Sequence, residues 1–200
     1  MGEHIHGSPF ETTVAAAAAT ASTTSVHGPA VAVAHAGQLA SFAVQTCDAF
    51  GNPSASGASP EVQLLEGDEV AVEARVTAGG EGTYAATYEA ASAGYYALEV
   101  TVGGEHIAGS PFPLSVLPGP AEAHTSHALS PLPTTLVAGS MGALRVQCCD
   151  RMGNGRSSGG DPLLCEIWTD PADPACRRQR PLLPHEEAAI ELGGEVDPGR

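Results

Sequence analysis

Apolar and polar side chains alternate in short runs with a period of two along the first 117 residues. Phe42 and Val44 alternate with Ser41, Ala43 and Gln45. Val62 and Leu64 mark the next run, and Val70, Val72, Ala74 and Val76 alternate with Ala71, Glu73, Arg75 and Thr77. Tyr84, Ala86 and Tyr88 share one face of a further run; Tyr96, Leu98, Val100 and Val102 share a face of the next. Phe112, Leu114 and Val116 alternate with Pro113 and Ser115. A period of two is the signature of half-buried strands. Turn chemistry separates the runs: Ala36-Gly37, Asp48-Ala49-Phe50-Gly51-Asn52-Pro53, Glu66-Gly67-Asp68, Gly79-Gly80-Glu81-Gly82 and Gly103-Gly104. Strands recurring at roughly 8–12 residues between such turns predict an all-β sandwich. The alternation over 70–77 predicts one continuous strand, the fourth in order.

Alanine-rich residues 15–19 favour helix by propensity, but so short a run cannot meet the nucleation cost. They are expected to be a linker merging into the first strand, ahead of Val31 and Val33. Tyr96 stands two residues after Gly94 at a strand corner, where its hydroxyl is expected to bond to backbone.

The pattern returns. Gly2-Glu3-His4-Ile5-His6-Gly7-Ser8-Pro9-Phe10 recurs as Gly104-Glu105-His106-Ile107-Ala108-Gly109-Ser110-Pro111-Phe112, an offset of 111 − 9 = 102 residues. Gln45-Thr46-Cys47-Asp48 recurs as Gln147-Cys148-Cys149-Asp150, and 147 − 45 = 102 again. Two motifs in one register imply a tandem repeat of immunoglobulin-like size. Pro111 lacks an amide proton, which places it at an edge or a bulge, with the strand resuming at Phe112.

Gly-Glu-His-Ile-x-Gly-Ser-Pro-Phe, preceded by Gly82-Thr83-Tyr84 and Gly94-Tyr95-Tyr96-Ala97-Leu98-Glu99-Val100, resembles the filamin repeat. The resemblance implies an immunoglobulin-like (E-set) β-sandwich in tandem. On it, residues 1–13 read as the end of a preceding repeat, 14–117 as a complete repeat, and 118–200 as a divergent, truncated one, so that the chain reads as a fragment of an array. In the last segment Val137-Ala138-Gly139 keeps register, 163–168 suit a third strand, and 189–195 resemble 75–81 after an insertion of 12 residues (195 − 81 = 114, and 114 − 102 = 12).

Charge narrows the partners. The formal net charge of −15 argues against nucleic acid and against anionic membrane surfaces. The basic run Arg177-Arg178-Gln179-Arg180 reads as a solvated loop. No stretch reaches the ~18 apolar residues of a membrane span, and no signal peptide is visible. Five cysteines, with Cys47 on one strand and none on the run from Gly94 to Val102, leave no within-repeat disulfide, which fits a reducing compartment; Cys165 and Cys176 remain a pair for an oxidising one.

Catalytic chemistry finds no support. His4 with His6 and His124 with His127 lack the further ligands zinc needs, and His106 repeats His4 as part of the marker. Adjacent Cys148 and Cys149 point to opposite faces of a strand. His185-Glu186-Glu187 lacks a second histidine, and no phosphate loop, nucleophile elbow or dinucleotide fingerprint occurs. No catalytic residue, metal or cofactor is expected.

An exposed sheet edge remains the candidate for function. In repeats of the resembled family partner peptides add beside the third strand and pack against the fourth. Carried onto this sequence, the groove is Val62, Gln63, Leu64, Leu65 and Glu66 with Val70, Ala71, Val72, Glu73 and Ala74. The expected function is a non-enzymatic, cytoplasmic, cytoskeleton-associated scaffold that binds proteins by strand addition. The resemblance implies that actin is reached through a calponin-homology domain outside these residues. The alternatives are a cell-surface adhesion protein, or the recognition module of a multidomain regulatory protein such as a ligase or kinase.

Overall fold

The computed structural model describes residues 3–129 and 142–164. The 137–139 turn, most of the strand expected at 163–168, the Cys165–Cys176 pair, the Arg177 run, His185 and the 189–195 segment lie outside the described residues. The chain divides into two units, Met1–Leu117 and Pro118–Arg200.

Among its described residues the first unit carries ten strands: β1 (Ala19–His27), β2 (Val33–His35), β3 (Ala40–Asp48), β4 (Pro60–Glu66), β5 (Glu69–Glu73), β6 (Arg75–Gly80), β7 (Thr83–Tyr88), β8 (Gly94–Val102), β9 (Glu105–His106) and β10 (Phe112–Leu117). One sheet runs β1-β3-β7-β6; the other runs β2-β10-β8-β4-β5, with β9 also on β8. All pairings are antiparallel except β2 with β10. The inward positions of the alternating runs close the core: Val44, Leu64, Ala86, Leu98 and Val100 are fully enclosed, and Phe42 meets Tyr88 edge-on at 6.4 Å. The all-β sandwich expected from the alternation, in the immunoglobulin-like form that the resemblance implies, is the observed fold.

Three expected strands are each divided, for separate reasons. The first breaks at Gly28-Pro29, where Gly28 has φ +132° and a Cβ would lie 3.2 Å from that of Phe42; a short 3₁₀ turn over Pro29–Val31 follows. The last breaks at Gly109-Ser110-Pro111. There the Val100 N–H donates to Ser110 Oγ at 2.9 Å and Val100 O accepts from Ile107 N at 3.1 Å, so the bonding of Val100 is kept while the chain turns before a residue with no N–H. The fourth, read as continuous over 70–77, is two strands. Glu73 is opposite Gln63 in one sheet and Arg75 is opposite Thr87 in the other. Ala74 makes the crossing, its N–H donating to Val62 O at 3.0 Å. The period of two runs through the crossing because Val72 and Val76 both pack on the core, each from a different sheet.

The marker turn is locally encoded. Ser8 N to Ile5 O and Ser110 N to Ile107 O are both 3.0 Å, and Gly7 and Gly109 share φ +86°. His4 Nδ1 lies 3.1 Å from Ser8 Oγ, as His106 Nδ1 lies 3.2 Å from Ser110 Oγ. Packing differs: Ile5 is 71% exposed and Ile107 2%. Short-range bonds make the turn, and only a neighbouring sheet makes it part of a core.

In the second unit β11 (Ala121–Ala128) pairs with β12 (Val146–Asp150). Ala121↔Asp150, Glu122↔Cys149 and His127↔Gln147 are displaced by 102 from Ala19↔Asp48, Thr20↔Cys47 and Ser25↔Gln45, irregularity included. An aspartate clamp recurs with the pairing. Asp48 Oδ1 accepts from the N–H groups of Phe50 and Asn52, each at 2.9 Å, and Oδ2 from Ala17 N at 3.0 Å. Asp150 does the same for Met152, Asn154 and Gly119. The Asn52 side-chain amide, together with these N–H groups and against the opposing effect of burial, holds the Asp48 carboxyl at about 2. For Asp150, burial alone would raise the value; the Asn154 amide and the N–H groups of Gly119, Asn154 and Met152 outweigh it and leave it lowered.

A depressed folded value stabilises the fold above the ordinary carboxylate value of 3.8 and is lost as pH falls through about 2. Thermal melts from pH 7 to pH 2 should therefore show Asp48→Asn melting below the parent chain at neutral pH. The gap should close between pH 4 and pH 2, because the protonated parent then loses what the variant never had.

Candidate peptide-docking groove

The sequence-derived groove residues are brought together, in an arrangement different from an open cleft. Val62, Gln63, Leu64, Leu65 and Glu66 lie on β4, and Val70, Ala71, Val72 and Glu73 lie on β5 directly beside them. Gln63 faces Glu73, Leu64 faces Val72, Leu65 faces Val70 and Glu66 faces Glu69. The chain's own β5 thus covers the edge of β4 from residue 63 onward. Leu64 is fully buried and Val62 nearly so; Val70 is half exposed.

Where β5 leaves its sheet at Ala74, a groove of about 380 Å³ opens, lined by Pro60, Glu61, Val62, Gln63, Glu73, Ala74, Val76, Glu99 and Thr101. Four of the sequence-derived residues line it: Val62, Gln63, Glu73 and Ala74. Pro60, Glu61, Val76, Glu99 and Thr101 lie outside the sequence-derived set, the last two on β8. The signal for them was present: on β8 the inward set is Tyr96, Leu98, Val100 and Val102, so Glu99 and Thr101 face outward, and β4 is the strand registered against them. Gln63 is bonded across the sheet, its Nε2 donating to Glu99 Oε1 at 2.5 Å. Glu99 Oε2 lies 3.7 Å from His106 Nε2, which ties the marker turn to the groove.

The groove presents main chain at a sheet corner, small apolar walls (Ala74, Val76) and carboxylates. Among the described residues no cluster of three or more metal-ligating side chains occurs. Two tyrosines brace the sandwich. The Tyr88 hydroxyl donates to Ala30 O, and burial pushes it up to about 12; the Tyr96 hydroxyl donates to Ser92 O at 3.0 Å, the expected corner bond, and is raised chiefly by burial and then by the Glu66 charge. Among the described residues no helix is long and apolar enough to cross a membrane.

The filamin/ABP280 repeat family matches residues 18–113. No curated protein sequence matches the chain. Among solved structures, the Lin-41 filamin domain is similar at 25% identity and a TM-score of 0.46, covering 50% of this chain and 97% of that domain. The Escherichia coli adhesin FdeC is similar at 19% identity and a TM-score of 0.51, over 68% of this chain and 43% of that one. Invasin, described as a bacterial integrin-binding protein, is similar at 20% identity and a TM-score of 0.52, over 70% of this chain and 28% of that one. The chain spans less than half the length of either adhesin, and at these identities the likeness is one of fold. The matched segment coincides with the sandwich of the first unit, so that residues 18–113, just under half of the chain, carry the match to the filamin repeat.

Proposed function

We propose that the first unit is a non-enzymatic scaffold module that captures short extended segments of partner proteins in the groove at the β4–β6 corner. The observation that supports this most is the divergence of β5 and β6 at Ala74, which leaves a groove beside the start of β4 instead of a sealed edge. An incoming strand lies along residues 60–62, ahead of the stretch covered by β5, and sends alternate side chains over Ala74 and Val76. Short strand addition of this kind is weak singly, and a tandem arrangement raises it by effective concentration. The domain reading belongs to the same proposal: residues 3–13 carry the marker turn of a preceding repeat, and 118–200 the start of a following one, its first strand pair displaced by 102. Placement in the cytoskeleton, with actin contacts made by another domain, belongs to the same proposal and is supported by the filamin-repeat match.

Selection of linear peptides against the chain tests this. A selected peptide should bind, and Thr101→Trp, which fills the groove from an outward-facing position, should abolish binding while leaving the melting temperature within a few degrees. Binding that survives Thr101→Trp would place the peptide elsewhere.

A further inference from the structure

We propose that this groove selects extended segments bearing arginine or lysine; the inference rests on the docking reading above and names its class of partner. Residues 1–117 contain twelve Asp and Glu but a single Arg, Arg75, and the chain has no Lys. Half of the twelve lie at one corner: Glu61, Glu66, Asp68, Glu69, Glu73 and Glu99 sit on β4, on β5, in the turn between them, or across on β8. Three of them, Glu61, Glu73 and Glu99, line the groove, and none of its lining residues is cationic.

The register arranges these carboxylates. Gln63 is paired with Glu73 on one side and Glu99 on the other, so the two glutamates flank one neutral position across three strands; Glu61 follows two residues along, opposite Thr101. Gln63 and His106 each reach Glu99, and Arg75 belongs to β6 in the other sheet, opposite Thr87. A strand laid along residues 60–62 therefore brings its outward side chains among carboxylates with no resident strong base. An acidic segment is repelled there and a cationic one is steered in, with a dependence on salt. Because β5 already provides the main-chain pairing along most of β4, charge has to supply more of the discrimination than it would along a fully open edge.

The test uses the whole chain and three peptides of one Val/Thr/Ser backbone carrying Arg, Gln or Glu at two alternate positions, with amide chemical shifts reporting where each binds. The Arg peptide should shift residues 61–63, 73–76 and 99–101. It should bind roughly three- to tenfold tighter than the Gln peptide, as two exposed ion pairs allow. That advantage should vanish in high salt and in the triple variant Glu61→Gln, Glu73→Gln, Glu99→Gln, and the Glu peptide should not bind. Equal binding of Arg and Gln peptides in the groove would overturn the charge selectivity and leave the docking site standing. Shifts confined to other surfaces, or none with any peptide, would overturn the docking site and the selectivity with it.

Discussion

Gly82→Ala should be among the most damaging single substitutions in the first unit, lowering its melting temperature on the order of 15 °C. Gly82 has φ +72°, and a Cβ there would lie 2.6 Å from Thr46 O, 2.7 Å from Ser54 N and 2.7 Å from Ser54 O. All three are backbone atoms, so no side chain can swing aside. Gly82 O in turn accepts from Thr46 N at 2.8 Å, and the fully buried Thr46 hydroxyl lies 2.9 Å from it and 2.6 Å from Ser54 O. Three segments meet at one point: the end of β3, the loop leading to β4, and the turn between β6 and β7. Left-handed strain of about 1–2 kcal/mol and overpacking of about 1–3 kcal/mol add to a large part of a domain's net stability. Gly80→Ala is the matched control. Gly80 has φ +105° but nothing within 4 Å of the added Cβ, so it carries the strain alone. Equal losses for the two variants would refute the crowding argument.

Tyr96→Ala should cost about 3–5 kcal/mol, the range for emptying a buried aromatic site. Tyr96 is 8% exposed, its ring lies in the core cluster, and its hydroxyl closes the corner on Ser92 O. Tyr96→Phe keeps the ring and should cost only about 1 kcal/mol, the net worth of one hydrogen bond. The neighbouring Tyr95 points the other way and is 88% exposed, so Tyr95→Ala should stay within about 0.5 kcal/mol. Denaturant melts of the three variants, read together, separate ring packing, corner bond and surface. If Tyr96→Ala melted with Tyr95→Ala, β8 would be facing the wrong way.

These contrasts show what was legible in the sequence. Alternation of period two tells inside from outside on a strand, which is why the inward sets on β3, β4, β7, β8 and β10 could be read directly. It does not tell which sheet a strand joins. Val72 and Val76 continue one pattern through Ala74 although the backbone bonds change partners there, since both sheets face the same core. The proposed docking groove inherits that ambiguity. A single fourth strand implies an open edge along β4, whereas a divided one covers residues 63–66 and moves the opening toward residue 60. The repeated Gln-x-Cys-Asp pattern was visible as register, but its physical reason was not: Asp48 and Asp150 are buried carboxylates that hold turn amides and reach back to the chain leading into the paired strand. Long-range bonds of that kind leave no trace in local periodicity.

The most direct test of docking at the β4–β6 corner is residue-resolved amide hydrogen exchange of the whole chain with and without a selected peptide. Strand addition forms new main-chain hydrogen bonds, so protection should rise at residues 61–63 and 75–76, while the Ala74 amide, already bonded to Val62 O, and amides of the β1–β3 pairing stay unchanged. Tight binding with no added protection at those amides, or protection gained only along β1 or β2, would contradict docking at this corner.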